Sequence, residues 1–412
     1  PTTVTQPSIP LPIALRKGLE QASPDLLREL LKMFLEKLMS AEADTLCGAD
    51  YGERSEERLN SRNGYRIRPL ETRVGEMALR IPRLRAGSYF PEWLLEPRRR
   101  SERALLSVVA EAYVLGVSTR RVERLMETLG LSGISKSRVS EIAGELDEGV
   151  EAFRQRPLES AYPYLWLDAL EVKSREGGRT VNVTVVVATG VNETGHREVL
   201  GVDVVTSEDG AAWLGFLRSL VARGLRGVKL TISDAHSGLK AAIAAALPGS
   251  AWQRCRAHFV QNLLTAVSKS AHLAVSSLFR SVFAQLDADS VRAQFDSVLK
   301  TFEERFAKAG ALLGDAREEL LAFTFFPKEH WRQIWSNNPQ ERLNKEIRRR
   351  TDVVGVFPNR EAIVRLVGAL LAEQHDEWAI GRRYFSLESL AVVINPARAT
   401  SNPDQPALLT AA

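Results

Sequence analysis

Residues 164–172 read YLWLDALEV, an apolar stretch with an acidic residue at its centre. The stretch predicts a β-strand, in which side chains alternate between two faces, so Asp168 shares its face with Trp166 and Leu170. Burying an ionised carboxylate is costly unless it is paired, hydrogen-bonded or bound to a metal. Asp168 therefore needs a partner from elsewhere in the chain.

The composition is that of a folded protein with more than one domain. The chain has 412 residues, of which 44% are hydrophobic and 26% charged, enough for a full core and two or three domains. Lys and Arg number 55 against 51 Asp and Glu, which gives a net charge of +4 and a pI near 9.1. This mild excess favours a polyanionic partner. Two cysteines, Cys47 and Cys255, exclude a disulfide framework and a four-cysteine zinc site.

The sequence shows no targeting pattern. No apolar run approaches the roughly 18 residues that a membrane span needs. The start, PTTVTQPSIPLP, lacks the charged and apolar regions of a signal peptide. We therefore expect a cytoplasmic, nucleoid-associated protein without a membrane partner.

The amino-terminal region, residues 1–100, combines a helix with a basic segment. Ser23 is the expected N-cap of a helix that starts at Pro24 and has a wide apolar stripe, which indicates a core helix or a dimerisation helix. Residues 53–100 are dense in Arg and broken by Gly and Pro, which predicts short strands and loops that carry positive charge.

Residues 101–153 resemble a helix-turn-helix. Glycines lie in the expected turn, and a second helix after Ser135 would expose Lys136 and Arg138 at its start, where a recognition helix makes its DNA contacts. A glycine-broken helix pair also occurs in many helical domains, so this pattern alone leaves DNA binding and a plain helical role open. The fold expected up to residue 153 is a mainly helical DNA-binding region.

Further elements follow the first strand. Residues 180–191 and 197–206 predict two more strands, which would complete an antiparallel meander. A helix, a strand over 228–235, another helix and a strand over 251–259 come next. This is the order of a ribonuclease H-like α/β domain, and it puts Asp234 at the carboxyl end of a strand, where α/β sheets carry their chemistry.

The α/β domain is predicted to be interrupted. Residues 262–330 contain helical patterns and no convincing strand, so we interpret them as an all-helical insertion between residues 160–261 and 331–390. The final residues, 394–412, are rich in Pro and Ala and predict a disordered tail.

A third acidic residue lies on a later helix. At about 100° per residue, Asn344, Lys345 and Arg348 fall within about 60° of Glu341, whereas Glu346 lies about 140° away and looks solvated. Glu341 thus has the position of an acid at the rim of a site with basic neighbours.

Three carboxylates from a strand, a strand end and a following helix suit two-metal phosphoryl transfer. Hard oxygen ligands hold two Mg²⁺ (or Mn²⁺) ions, one activating the attacking oxygen and the other stabilising the leaving oxygen. Asp168, Asp234 and Glu341 would then be both catalytic residues and metal ligands, and the metals would supply the partner that Asp168 needs. Neighbouring basic residues either contact DNA phosphates or form a charged helix face: Lys345, Arg348, Arg349 and Arg350.

At these residues the sequence resembles the bacterial Mutator-type insertion-sequence transposases, which are DDE enzymes. The matching blocks are LDAL, TISDAHSGLKAAI, CRAHFVQNLL and NPQERLNKEIRRRTDVVGVFPN, and two earlier blocks, GYRIRPLETRVGEMALRIPRLRAGSYFPEWL and GVSTRRVERLMETLG, extend the resemblance over nearly the whole chain. The resemblance implies a catalytic triad of Asp168, Asp234 and Glu341, separated by 66 (234 − 168) and 107 (341 − 234) residues, with the insertion filling the longer gap.

The same family carries a Cys-x-x-His signature, which corresponds here to Cys255 and His258. One such pair cannot complete a zinc site. Residue chemistry therefore favours a structural role, and the alternative is that the pair positions DNA or the metal-bound strand near Asp234.

Three functions are compatible with these features. The first is a transposase that binds double-stranded DNA at its terminal inverted repeats, cleaves the ends and joins them to target DNA, acting as a homo-oligomer of at least two chains because two ends must meet. The alternatives are a catalytically silent DNA-binding regulator and a ribonuclease H-like nuclease or resolvase without strand transfer. The intact set of carboxylates argues against the regulator, and the large amino-terminal region argues against the nuclease.

Overall fold

The computed structural model describes residues 24–49, 58–72, 75–86, 89, 104–105, 107–109, 111–112 and 136–395. The chain divides into two compact units, which are residues 1–97 with 380–382 and residues 98–379 with 383–412. Helices and strands occur in both units, and the candidate catalytic residues all belong to the second.

In the first unit, a long helix packs on a two-stranded antiparallel hairpin. Helix α1 spans Pro24–Cys47 and so begins where the sequence predicts, and the hairpin consists of β1, Arg62–Thr72, and β2, Gly75–Leu84. Tyr89 donates a 2.6 Å hydrogen bond from its hydroxyl to Glu42 of the helix. The buried apolar residues of this unit include Leu35, Met39, Ala43, Cys47, Leu79 and Ile81.

The predicted helix-turn-helix lies largely outside the described residues. Residues 113–135, which include the turn, are not among them, so the motif stays a prediction. Helix α2, Lys136–Gln155, begins where the second helix of the motif is expected, but the side chains of Lys136 and Arg138 also lie outside the description. The same is true of residues 396–412, nearly all of the predicted tail.

The second unit contains a six-stranded mixed sheet. Its strands are β3 Tyr164–Glu176, β4 Arg179–Val191, β5 Arg197–Val205, β6 Leu230–Ser233, β7 Ala251–Arg254 and β8 Val356–Phe357. The strand order is β5-β4-β3-β6-β7, with β8 also paired to β3. Strands β3, β4 and β5 form the predicted antiparallel meander. Strands β6 and β7 continue the sheet in parallel, since helices connect them.

Strand β7 is shorter than predicted. The sequence predicts a strand over 251–259, but β7 ends at Arg254 and helix α5, Arg256–Thr265, follows at once. Cys255 occupies the N-cap position with extended backbone, and the Phe259 N–H donates to its carbonyl at 3.0 Å. The prediction was wrong here because a short run with buried aromatic residues fits a strand and a buried helix equally well.

One face of the sheet is covered by helices α3, Gly210–Ala222, and α4, Ser237–Ala246. Leu165 and Leu167 of β3 belong to the core on this face, so the predicted alternation along the strand is confirmed. Other members of this core are Val186, Ala188, Leu200, Trp213, Phe216, Leu217, Leu220, Leu239 and Ile243.

The other face of β3 carries Asp168 between two apolar clusters. Tyr164 and Trp166, which precede it on the strand, belong to a cluster formed with the helices of residues 262–330. Leu170, which follows it, belongs to a second cluster formed with α2 and the helices near the carboxyl end. The carboxylate therefore lies where the two clusters meet.

Residues 262–330 form helices and no strand. After α5 come α6 His272–Val282, α7 Ala288–Arg305, α8 Ala307–Asp315 and α9 Arg317–Leu321, with 3₁₀ turns at Lys269–Ala271, Ala322–Phe325 and Lys328–His330. Helix α10, Trp331–Ile334, leads out of this region. Its core is strongly aromatic: Phe279, Phe283, Phe295, Phe302, Phe323 and Trp331.

The remaining helices are α11 Asn338–Val354, α12 Arg360–Ile380 and α13 Leu387–Ile394. Helix α11 buries Leu343 and Ile347 in the cluster that contains Leu170. Helix α12 is fixed by Arg365, whose guanidinium pairs with Asp147 at 2.7 Å and with Glu111 at 2.6 Å.

Candidate active site

Asp168 and Asp234 lie next to each other on neighbouring strands. Strands β3 and β6 pair in parallel with Tyr164 beside Leu230, an offset of 66 residues (230 − 164). The two aspartates differ by the same 66 (234 − 168), and Asp234 directly follows the last residue of β6. The last formed pair, Trp166 and Ile232, lies two residues before the aspartates, so the register brings both of them to the same edge of the sheet.

Cys255 continues this row on the next strand. Strands β6 and β7 pair in parallel with an offset of 21 (251 − 230), and Cys255 follows Asp234 by the same 21 (255 − 234). Its N–H donates to the carbonyl of Ser233 at 2.8 Å, which extends the strand pairing by one more hydrogen bond. Asp168, Asp234 and Cys255 thus occupy equivalent positions across three adjacent strands.

The Asp168 carboxylate is half-buried and has two hydrogen-bond donors. Its Oδ2 accepts from Nδ2 of Asn344 at 2.6 Å, and its Oδ1 accepts from the N–H of Ala169 at 3.0 Å. Burial raises the pKa of Asp168 to about 6, and nearby Asp234 adds to the rise, while His258 and the two donors oppose it. The carboxylate therefore has polar partners but too little positive charge near it to ionise as readily as an exposed aspartate.

Asp234 is held by the turn that follows β6. The N–H of Ala235 donates to Asp234 Oδ1 at 2.7 Å, and Ser233 Oγ donates to the Asp234 carbonyl at 2.9 Å. Gly238 closes the turn against the start of α3, where an added Cβ would lie 2.6 Å from the backbone nitrogen of Gly210. A residue with a side chain at 238 would therefore displace the turn that carries Asp234.

Three amide side chains attach α11 and the residue before it to the sheet. Asn337 donates from Nδ2 to a β3 carbonyl at 2.9 Å, and Gln340 donates from Nε2 to a β4 carbonyl at 3.2 Å while accepting from Thr189 Oγ1 at 2.7 Å. Asn344 completes the row with its bond to Asp168. The spacing of three and four residues puts all three on one side of the helix, so they fix where α11 docks.

Cys255 and His258 have different surroundings. Cys255 is fully buried, and its Sγ accepts the N–H of Asn337 at 3.2 Å, which links the start of α5 to the start of α11. His258 is half-buried, and the Cys255 thiol together with Asp234 and Asp168 raises the pKa of His258 to about 9 against an opposing effect of burial. Near neutral pH an imidazolium therefore lies beside the two aspartates.

Glu341 lies in the first turn of α11 and is half-buried. It precedes Asn344 by three residues, so the two share one side of the helix, yet its carboxylate makes no hydrogen bond or ion pair with any residue that the structure describes. Across the described ranges, no three His, Cys, Asp or Glu residues come close enough to hold a metal ion together. The structure brings Asp168 and Asp234 together and leaves the Glu341 carboxylate apart from them.

The basic residues of α11 fall into two groups. Lys345 and Arg348 are exposed and form no ion pair within the described parts of the chain. Arg350 is half-buried and donates to Glu346 at 2.8 Å, and Arg349, although exposed, lies 4.0 Å from the same carboxylate. Glu346 is therefore paired within its own helix and is not simply solvated as predicted.

Sequence reasoning assigned no role to Asn337, Gln340 or Asn344. A signal was available, because amides at 337, 340 and 344 follow the helical spacing on the side next to the buried Leu343. That pattern indicates polar contacts with whatever the helix packs against. It does not say that one of those contacts is a carboxylate.

The sequence is similar to known transposases over most of its length. The family described as "Transposase, Mutator family" matches residues 9–381. The transposase for insertion sequence element IS1081 of Mycobacterium tuberculosis is 59% identical over 386 residues, covering 93% of each chain. The transposase for ISRM5 of Rhizobium meliloti is 40% identical over 91% of this chain and 94% of its own. The transposase for IS256 in transposon Tn4001 of Staphylococcus aureus is 35% identical over 88% and 93%.

Among solved structures, a chain titled "Drosophila P element transposase strand transfer complex" covers 74% of this chain and 88% of its own, at 11% identity and a TM-score of 0.27. A score this low supports no argument about fold. None of the helices in the described ranges combines the length and apolarity that crossing a bilayer requires. On the family match and the identity to the insertion-sequence transposases, the chain belongs to the Mutator family of transposases.

Proposed function

We propose that Asp168, Asp234 and Glu341 are the catalytic triad with which this transposase cleaves the ends of its element and joins them to target DNA. The observation that carries the proposal is the β3–β6 register, which sets two acidic residues side by side at the carboxyl end of a parallel strand. Glu341 belongs to the helix whose Asn344 already contacts Asp168. To complete the set, the Glu341 side chain would have to turn towards the two aspartates.

The arrangement of strands supports the same proposal. An antiparallel meander followed by two parallel strands, in the order β5-β4-β3-β6-β7, is what a ribonuclease H-like domain requires. We assign residues 160–261 and 331–390 to this domain and residues 262–330 to a helical insertion. Residues 1–100 and 101–153 would bind the terminal inverted repeats. Because two ends must be brought together, the active form would be a homo-oligomer of at least two chains.

The surroundings of Asp168 suit divalent cations. Burial raises the pKa of Asp168, so a cation would supply positive charge that the carboxylate lacks. The Oδ1 atoms of Asn337 and Asn344 are buried and have no hydrogen-bond partner among the described residues. Carboxylate and amide oxygens are the ligands that Mg²⁺ and Mn²⁺ prefer. Held by Asp168, Asp234 and Glu341, such ions would activate the attacking oxygen and neutralise charge on the phosphate.

The chain's own residues would bind and orient the DNA strand. Lys345 and Arg348 are exposed on α11 and can contact backbone phosphates. Arg350 is paired with Glu346 and is therefore less available for such a contact. His258 adds positive charge next to the acids. In the reaction, water attacks the phosphorus and the bond to the 3′ oxygen breaks. The freed 3′ hydroxyl then attacks a phosphodiester of the target in the same way.

The proposal is tested by cleavage of a duplex that carries the element's terminal repeat. Asp168→Asn, Asp234→Asn and Glu341→Gln should each lose cleavage in Mg²⁺ and retain binding of the duplex. Glu346→Gln is the matched control, because Glu346 lies on the same helix but is paired with Arg350, and it should still cleave. Cleavage by Glu341→Gln would remove that residue from the triad, and cleavage by the wild type in EDTA would exclude the metal requirement.

A further inference from the structure

Arg256 is held between aromatic rings at the start of α5, directly after Cys255. Its guanidinium lies 4.0 Å from the ring centre of Trp335 and 5.0 Å from that of Phe283. The backbone N–H of Arg256 donates to the Trp335 carbonyl at 3.1 Å, so the two residues are also joined through the main chain. The two rings are nearly perpendicular, with an angle of 84° between their planes, so the guanidinium contacts aromatic groups from two directions, which restrains its position and stabilises its charge.

No carboxylate in the described part of the chain balances this charge. Among the residues that the structure describes, Arg256 forms no ion pair and donates no side-chain hydrogen bond, although it is half-buried. Two other arginines that lie over rings in this unit have acidic partners: Arg254 pairs with Glu319 at 3.4 Å, and Arg317 pairs with Asp296 at 3.2 Å. The Arg256 side chain is therefore held by its aromatic neighbours, and its guanidinium N–H groups have no acceptor among the described residues.

A second cation, Arg280, lies one helical turn from the ring that Arg256 contacts, because the Phe283 N–H donates to the Arg280 carbonyl at 3.1 Å. Burial lowers the pKa of Arg256 to about 10, partly opposed by Cys255, and Arg280, on the exposed side of α6, adds a smaller lowering effect. Arg280 forms no ion pair within the described ranges either. Two neighbouring guanidinium groups without an acid repel each other. A bound anion would attract both groups and so offset their repulsion.

We propose that Arg256 and Arg280 form a binding site for a backbone phosphate of the DNA strand that runs through the active site. This inference rests on the proposed function, which supplies DNA as the polyanion. The planar donor fork of an arginine matches two phosphate oxygens, and the rings fix that fork in advance. Arg256 follows Cys255, which belongs to the row of Asp168 and Asp234, so the phosphate bound here is a near neighbour of the one that reacts.

The test measures how DNA binding depends on salt. Full-length protein carrying Asp168→Asn, which prevents cleavage, is titrated with a terminal-repeat duplex at several KCl concentrations, alone and combined with Arg256→Gln or Arg280→Gln. Loss of one phosphate contact should reduce the slope of log K against log salt by about 0.7 to 0.9. It should also weaken binding roughly tenfold at moderate salt. Arg317→Gln, which removes a ring-stacked but ion-paired arginine, is the matched control and should leave the slope unchanged.

The outcomes separate this site from the proposed function. If the protein without Asp168→Asn cleaves the duplex but the Arg256→Gln slope equals that of the control, the phosphate site is refuted and the catalytic proposal stands. If that protein neither binds nor cleaves the duplex, both proposals are withdrawn. If Arg256→Gln does not fold, Arg280→Gln decides, because Arg280 is exposed and its removal leaves the core intact. An unchanged slope in Arg280→Gln would then refute the site.

Discussion

Asp168→Asn should make the metal-free protein more stable, because the wild type keeps a half-buried carboxylate that ionises at a cost. Burial raises the pKa of Asp168 from 3.8 to about 6. An acid whose pKa is raised by folding binds its proton more tightly in the folded state, so the folded protein loses stability as the pH rises from the unfolded pKa through the folded one. A neutral amide of the same shape avoids that loss and can still hydrogen-bond to Asn344.

The size of the effect follows from the shift. A difference of 2.2 pKa units (6 − 3.8) corresponds to about 3 kcal/mol of unfolding free energy at about pH 7.5, where the group is ionised in both states. At about pH 4.5 the folded state is protonated and the unfolded state only partly ionised, so the same relation leaves about 1 kcal/mol. Urea unfolding in EDTA, followed by fluorescence at both pH values, measures this difference.

The control is Asp203→Asn, which removes an exposed carboxylate that pairs with Arg154 at 2.8 Å. Exposed ion pairs contribute about 0 to 1 kcal/mol, so this variant should be neutral or slightly less stable than the wild type. Two results would refute the reasoning about Asp168. One is a variant no more stable than the wild type at about pH 7.5, and the other is a gain that stays constant down to about pH 4.5.

Two further predictions concern the neighbours of Asp168. Asn344→Ala removes a hydrogen bond to a charged acceptor, so single-turnover cleavage should fall about 10- to 150-fold while duplex affinity is kept. The control is Asn338→Ala, which removes an exposed amide on the same helix and should leave cleavage unchanged. Equal cleavage rates for the two variants would contradict a role for Asn344. The pKa of His258 is raised to about 9, so the wild type should lose stability as the pH rises from about 6.5 to about 9. His258→Gln should lack most of that loss in EDTA, and identical pH profiles would show that His258 does not carry it.

Sequence reasoning located the aspartates because their local signals are strong. Asp168 interrupts an apolar strand, and Asp234 ends one, and neither position suits an acidic residue unless it has a function or a partner. The spacing of 66 residues carries no meaning by itself. It becomes informative only when β3 and β6 are seen to pair with the same offset, because register depends on how two distant segments meet and not on either segment alone.

The contacts of α11 could not be predicted for the same reason. Helical spacing shows that Leu343 and Ile347 are buried, but it does not show which strand carbonyls meet Asn337 and Gln340. The docking position of the helix decides that Asn344 meets Asp168 and that Arg350 turns back to Glu346. Likewise, the residues around Cys255 fit either a strand or a helix, and the hydrogen bond from the Phe259 N–H to the Cys255 carbonyl shows that the chain has turned into a helix there.

The protein without metal and DNA has two groups of unbalanced charge, and the binding of metal and DNA would balance both. Asp168 has too little positive charge near it, whereas Arg256 and Arg280 have no acidic partner among the described residues. A cation would balance the charge of the aspartates, and a phosphodiester would balance the charge of the arginines. The bound cation and the bound phosphodiester would also attract each other. On the proposed function, metal and DNA should therefore bind cooperatively, so that Mg²⁺ tightens duplex binding by the wild type and not by Asp168→Asn. Equal effects of Mg²⁺ on both proteins would show that the two deficits are unrelated.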